Sequence, residues 1–359
     1  MHRVVHLITT ISRGGAENQL VTLVSEQVKS GREVMVIYLK GDPELSLIIR
    51  STGAKVLDIL AKKNFIRQII TLRKFLKGNE CIVHAHLPKA ELLSAICVRK
   101  NFLVLSKHNS EQFFPKAPRF VSFLLARYVY RKSRQCIFIS KAVLIFLLNN
   151  REVYTNKKNK IIYYGVSPKK YEDRLSKHLE KKVTIGTIAR IVDQKDYATL
   201  IKAFKIYRDY NKHAKLLIIG EGHKKNEMVQ LTKDLKISSN VEWKGRTSKI
   251  SDVLKQMDVF VLASKYEGFG LVLLEAMQES VPIIASRTSA IPEVTGKSYP
   301  GLFEPGDVDD LVRRLKKAQT FEFQKLLVSR YKKRLVKFSA SKMRSNMDSA
   351  YSDATKVAR

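Results

Sequence analysis

Short apolar runs alternate along the chain with longer stretches whose apolar positions recur at helical spacing. In the first half the runs are Val4–Ile8, Val34–Leu39, Cys81–His84, Phe102–Ser106 and Cys136–Ile139. Amphipathic stretches separate them at Glu17–Val28, Phe65–Leu76, Ala90–Val98 and Arg119–Arg131. The second half repeats the scheme, with runs at Val183–Ile188, Lys215–Ile219, Val241–Trp243, Val259–Leu262 and Pro282–Ala285. Helical patterns there include Tyr197–Tyr207, Lys224–Leu235 and Asp309–Lys317. The alternation predicts parallel sheets with helices on both faces.

The pattern breaks at 166–182, where VSPKKYEDRLSKHLEKK is charged and lacks apolar periodicity. The predicted fold is therefore α/β, with two Rossmann-like doubly wound domains at 1–165 and 183–337 joined by that linker. In the tail, Met343, Met347 and Tyr351 fall at i, i+4 and i+8. This spacing predicts a helix within 338–359 that docks one face, packing back toward the first domain. Doubly wound domains bind ligands at the carboxyl ends of their strands, so two such edges turned toward each other predict a site in the intervening cleft.

Bulk properties narrow the class. A chain of 359 residues with 45% hydrophobic content suits two globular domains. No apolar stretch is long enough to span a bilayer. The opening MHRVVHLITT lacks a cleavage pattern and reads as a first strand rather than a signal peptide. Cys81, Cys97 and Cys136 are odd in number and lie in apolar runs, which predicts reduced core thiols and a cytoplasmic setting.

Charge changes the picture most. Sixty-six basic residues against 33 acidic give a net charge of +33, which predicts an anionic partner such as nucleic acid or a membrane surface. Residues 101–150 carry eight basic residues against one acidic, a local +7. Within them, Phe113–Arg134 interleaves aromatics and leucines with Arg and Lys. This composition predicts contact of Phe113, Phe114 and the basic flank with an anionic membrane, and burial of the Leu124/Leu125 face. No helix-turn-helix, zinc-finger, RNP or KH signature accompanies the charge, so no nucleic-acid partner is expected.

Candidate chemistry follows the strands. ASKYEGFGLVLLE comes after Val259–Leu262 and holds Glu267 and Glu275 across a Gly-Phe-Gly turn. Glycines let backbone approach a ligand, and a helix starting near Gly270 aims free N–H groups at an anion. Carboxylates accept hydrogen bonds from diols, so the stretch suits a sugar-nucleotide. Arg190 and Lys195 flank the loop after Val183–Ile188, as diphosphate ligands or as surface charge. Gly245 and Arg246 could line a base pocket. Gly14-Gly15 reads either as a loop open to phosphate or acceptor, or as a turn needing positive φ. His108 ends a strand and is expected to touch substrate. His84 and His86 read as satisfied strand-end histidines, because no further ligand cluster accompanies them. Asp307-Val308-Asp309 has the D-x-D form of some metal sites. It opens a helix after Pro305-Gly306, so an N-cap is predicted and no metal is expected.

Together, GGAENQL, IARIVDQKDYATLIKAF, LLIIGEG, VEWKGR, YEGFGLVLLEAM and IPEVTG resemble the retaining glycosyltransferases of family four, of GT-B fold, over nearly the whole chain. The resemblance implies transfer of a sugar from a nucleotide-sugar, with UDP the expected nucleotide and retention at the anomeric carbon. Catalysis would involve Glu267, His108, Arg190 and Lys195. Arg190 and Lys195 would bind the diphosphate, and Glu267 the sugar hydroxyls. Gly268, Phe269, Gly270 and Leu271 would offer backbone N–H groups, and Glu275 would hold the ribose. Gly14 and Gly15 would lie near the phosphates, with Arg246 also in the donor site. His108 would meet the transferred sugar. No cofactor or metal is implied, since the nucleotide-sugar is a co-substrate.

Two positions depart from the family pattern: Tyr164-Gly165 stands where many relatives have Asn-Gly, and Ala189-Arg190 where they have Gly-Arg. The expected acceptor is a lipid-linked or cell-surface glycan of capsule, O-antigen or lipopolysaccharide synthesis. That places the protein peripherally on the inner face of the cytoplasmic membrane. A soluble small-molecule acceptor is the alternative.

Overall fold

A computed structural model describes residues 3–78, 80–99, 102–169 and 183–356. The chain divides into two compact units, residues 1–167 with 338–359, and residues 168–337. Residues 170–182 of the expected linker lie outside the described residues.

The first unit alternates strand and helix: β1 (Arg3–Ile8), α1 (Gly15–Lys29), β2 (Val34–Tyr38), α2 (Ser46–Ser51), β3 (Lys55–Leu57), α3 (Phe65–Leu76), β4 (Cys81–His86), α4 (Pro88–Cys97), β5 (Leu103–Lys107), α5 (Arg119–Lys132), β6 (Gln135–Phe138), α6 (Lys141–Asn149) and β7 (Asn159–Ile161). Its sheet is parallel throughout, in the order β3-β2-β1-β4-β5-β6-β7. The order reverses between β1 and β4, and this is the switch point at which doubly wound sheets bind ligands.

The second unit holds β8 (Thr184–Ile188), α7 (Tyr197–Tyr210), β9 (Lys215–Ile219), α8 (Lys225–Asp234), β10 (Val241–Lys244), α9 (Ile250–Leu254), β11 (Val259–Leu262), α10 (Leu271–Gln278), β12 (Ile283–Ser286), α11 (Ile291–Thr295), β13 (Leu302–Phe303), α12 (Val308–Lys317), α13 (Phe321–Val328) and α14 (Tyr331–Lys337). Its sheet is also parallel, ordered β10-β9-β8-β11-β12-β13, with the switch point between β8 and β11. Asp307 caps α12 by accepting from the Asp310 N–H, the N-cap role that the sequence predicts.

The last helix, α15 (Ala340–Thr355), belongs to the first unit and packs on α1. Met343, Met347 and Tyr351 are all buried. The strand-like segments on either side of the second unit's insertion bond to each other: Val166 N–H donates to the Phe338 carbonyl, and Ala340 N–H to the Val166 carbonyl. Cys81, Cys97 and Cys136 are free thiols. No helix of the described residues is long and apolar enough to cross a membrane.

One expectation reverses. Phe113 is buried, with the Lys107 amino group 4.6 Å from its ring centroid. Leu124, expected inside, is 48% exposed and shares its face of α5 with Phe120 at 69%, Val121 and Tyr128. Ser122, Ala126, Val129 and Tyr130 take the buried face instead, and the Ser122 hydroxyl accepts from the Phe114 N–H.

Gly165 sits where backbone meets backbone: a Cβ there would lie 2.7 Å from the Ala340 Cα and the Ser339 oxygen. Gly165→Ala should therefore cost about 1–3 kcal/mol through forced displacement of α15. Gly15→Ala, with nothing within 4 Å of its added methyl, should leave stability within about 0.5 kcal/mol. Chemical denaturation of the two variants checks the contrast.

Candidate active site

In the second unit, the loops leaving β8 and β11 meet at the switch point. Lys195 pairs with Glu267, and both side chains are largely buried. The Ser264 hydroxyl donates to the same Glu267 oxygen at 2.6 Å. Backbone bonds reinforce the junction: Lys265 N–H donates to the Gln194 carbonyl at 2.8 Å, and the Gln194 amide donates to the Tyr266 carbonyl at 2.9 Å. Ser286 at the end of β12 donates to the Ser264 carbonyl at 2.6 Å. The Lys195 and Glu267 loops are thus fixed relative to each other before any ligand arrives.

Arg190 is exposed on the same β8 loop, and Arg246 is exposed after β10. Neither has an ion-pair partner among the described residues. The loop bearing Arg190 is held from behind by close backbone approach. A Cβ on Gly220 would fall 2.0 Å from the Ala189 carbonyl oxygen, and one on Gly222 would fall 2.1 Å from that of Ile191. The glycines of IIGEG therefore serve packing of the β8 loop.

Gly270 has φ +83 and N-caps α10 without any side-chain cap bond. A left-handed residue is inexpensive only as glycine. Leu273 N–H donates to the Gly270 carbonyl at 2.9 Å, which leaves the Leu271 and Val272 N–H groups to donate outward, with Phe269 anchored in the core. Glu275, on the next turn, has no hydrogen-bond or ion-pair partner for its carboxylate among the described residues. Burial pushes its carboxyl pKa up to about 7. A partly buried, unpartnered carboxylate is suited to accept from ligand hydroxyls.

In the first unit, Gly14 has φ −156 and caps α1 in extended backbone. Positive φ is therefore not why this glycine is present. A Cβ would collide with the Glu17 carboxylate, which accepts from Thr10 at 2.9 Å, while Gly15 opens onto free space. Leu87, at the end of β4, is held at φ 70, a strained conformation for a residue with a side chain. It lines a cavity with Pro88, Glu91, Lys107, His108 and Phe113.

His108 is buried deeply enough for desolvation, aided by Lys107, to bring its pKa down to about 3. Both of its ring nitrogens are taken, Nε2 by His86 at 3.0 Å and Nδ1 by the Tyr164 hydroxyl. The cluster absent from the sequence reading is present in space. His6 lies beside His84 across the β1–β4 pairing, and its Nδ1 is 3.0 Å from His86 Nε2. Strand register was the missing signal, since His6 is remote from the HAH motif in sequence.

Residues 13–170 match the family described as Glycosyltransferase Family 4, and residues 169–333 match Glycosyl transferases group 1. The chain belongs to this family of glycosyltransferases and has its GT-B architecture of two Rossmann-like domains. Over 164 residues it is 34% identical to the N-acetyl-alpha-D-glucosaminyl L-malate synthase of Bacillus anthracis, covering 43% of this chain and 42% of that protein. The chain thus spans less than half the length of that relative. At 24% identity it aligns along 95% of its length with 96% of a Campylobacter jejuni alpha-1,4-N-acetyl-D-galactosaminyltransferase acting on a diNAcBac-PP-undecaprenol-linked glycan. The Anabaena HepE structure in complex with UDP and glucose superposes with a TM-score of 0.79 at 17% identity, over 98% of this chain and all of that one, a likeness of fold.

The Glu275 environment predicts two pH effects. Its folded pKa lies above its ordinary 4.5, so the charged form is disfavoured in the fold. The stabilising effect of the neutral group is complete below about 4.5 and is lost as pH rises through about 7. Glu275→Gln should accordingly raise Tm at about pH 8 and leave it unchanged at about pH 4. Nucleotide-sugar affinity should fall as pH drops from about 8 to about 6, where the carboxylate is neutralised. Calorimetric titration of Glu275→Gln should show weaker binding without that slope.

Proposed function

We propose that this protein is a retaining, nucleotide-sugar-dependent transferase, with a UDP-sugar the expected donor. The single observation that carries the reading is the preassembled edge at the β8–β11 switch point. There a lysine and an exposed arginine sit on the β8 loop and Glu267 on the β11 loop, and α10 begins without a side-chain cap and carries Glu275. This set matches a diphosphate flanked by two polyols. Arg190 and Lys195 take the diphosphate. Glu267 and the N–H groups of Gly268 to Leu271 take the sugar, Glu275 the ribose, and Arg246 the edge of the base. In the first unit, Gly14, Gly15 and His108 are the proposed substrate contacts.

The chemistry follows from which charges change. As the glycosidic bond to the diphosphate breaks, negative charge grows on the leaving oxygen. Arg190, Lys195 and the helix N-terminus stabilise that charge more than they stabilise the bound donor. The leaving oxygen takes the proton of the acceptor hydroxyl on the same face, and the new bond forms there with retention. The protein supplies position and electrostatics, with no side-chain base.

For the acceptor we infer a lipid-linked or cell-surface glycan. The full-length Campylobacter relative supports this reading, as does the +33 charge. Phe120, Val121, Leu124 and Tyr128 form an exposed apolar face on α5, with Arg119, Arg131 and Lys132 nearby in sequence. That face suits the headgroup region of an anionic inner leaflet. No nucleic-acid-binding signature accompanies the charge, so nucleic acid is not the proposed partner.

Two experiments test the reading. Lys195→Ala should lower kcat by roughly 10²–10³ with a nucleotide-sugar donor; unchanged turnover and donor binding would refute the diphosphate role. In flotation with phosphatidylglycerol vesicles the wild type should float in low salt and sink in high salt, and Phe120→Asp with Leu124→Asp should sink in both.

A further inference from the structure

His6, His84 and His86 place ring nitrogens within 4.8 Å of one another in the buried centre of the first sheet. Three histidines at such spacing resemble a metal triad. The hydrogen bonds argue otherwise, because all six ring nitrogens already have protein partners. His6 bonds His86 at 3.0 Å and Gln27 Oε1 at 2.8 Å. His84 bonds the Tyr351 hydroxyl and the Ser106 hydroxyl, each at 2.7 Å. His86 bonds His6, and His108 at 3.0 Å. The Gln27 amide nitrogen donates to the Tyr351 hydroxyl at 3.0 Å, and Tyr164 closes the chain on His108.

These bonds form one unbranched relay: Ser106, His84, Tyr351, Gln27, His6, His86, His108, Tyr164. A neutral imidazole donates from one nitrogen and accepts on the other. Each ring therefore passes its polarity to the next. With Gln27 Oε1 on His6, the His6 proton sits on Nε2. His6 Nδ1 then accepts from His86 Nε2–H, and His86 Nδ1 accepts from His108 Nε2–H. His108 Nδ1 is left as an acceptor for the Tyr164 hydroxyl. Turning the Gln27 amide over would reverse every one of these bonds. With the other rings in these tautomers, a second proton on His6 or His86 would set donor against donor. Burial opposes that state too, holding His6 at about 4 and His84 and His86 well below the ordinary histidine value.

We propose that Gln27, His6 and His86 are positioning residues that hold His108 as a single neutral tautomer, with its proton on Nε2 and Nδ1 offered to a hydroxyl donor. Tyr164 fills that acceptor position in the free protein. A hydroxyl of the sugar takes it when the ring engages substrate. The kinetic part of the proposal rests on the reading of His108 as a sugar contact; the tautomer does not.

The test uses the full chain labelled with 15N-histidine, as wild type, Gln27→Met and Tyr351→Phe. In the wild type, the His108 nitrogens should report a neutral ring protonated at Nε2 from about pH 6 to pH 8. Gln27→Met deletes the polar link, so His108 should show both tautomers. Its kcat should fall roughly ten- to hundredfold, with donor KM within a factor of about two. Tyr351→Phe keeps the ring's volume and should shift the same resonances in the same direction, which covers the case in which Gln27→Met fails to fold. A wild-type His108 that titrates near about 6.5, or one whose tautomer is untouched in both variants, overturns the relay. Changed spectra with unchanged kcat overturn its kinetic half. Absence of sugar transfer by the wild type from any nucleotide-sugar would instead sink the functional reading, and the spectra would still decide the relay.

Discussion

The ion pair between Lys195 and Glu267 is the contact on which the second unit's ligand edge depends. A doubly wound sheet parts its loops at the switch point, and the resulting crevice is where a ligand fits. Left alone, such loops would be mobile and their charges would repel or wander. Here the pair, the Ser264 hydroxyl and the Gln194 bonds tie the β8 loop to the β11 loop. Two largely buried charges are costly to separate, because removing either strands the other in a poor solvent for ions. In the proposed mechanism the pair has a second use: it orients Lys195, which has N–H groups beyond the one given to Glu267, for the diphosphate.

The first unit solves a different problem with neutral groups. Its strands carry four histidines or strand-end histidines into one buried region, where a charged imidazole would be expensive. Pairing every nitrogen removes the desolvation cost without introducing charge, and it makes the orientation of one ring depend on the others. Helix α15 joins this network through Tyr351 and is further anchored by the Arg32–Asp348 ion pair at 2.8 Å. The return helix is thus both a structural closure of the first unit and a link in the relay.

The sequence made the sheet architecture legible because buried parallel strands are short apolar runs that stand out against amphipathic helices. Residues placed immediately after such runs, Arg190, Lys195, Glu267, Glu275 and His108, could be nominated because loops at strand ends are where ligands bind. What escaped depends on pairing across the chain. His6 joins His84 only through the register of β1 with β4. Three strands, β3, β7 and β13, are two or three residues long and carry too little periodicity to read. Helix α6 is apolar on most sides and offers little helical contrast. Phe113 and Leu124 exchanged places because composition identifies an amphipathic segment without identifying which of its sides packs. The Lys195–Glu267 contact was equally invisible, since both residues were nominated separately for ligands rather than for each other.

Calorimetric titration of UDP and of a panel of UDP-sugars into wild type and Arg190→Ala tests the central claim most directly, because it needs no acceptor. Saturable binding to the wild type is expected, with a loss of roughly tenfold or more in affinity in the variant, as for removing a charge-assisted contact to the diphosphate. Absence of nucleotide binding to the wild type, or equal affinity in the two proteins, would contradict it.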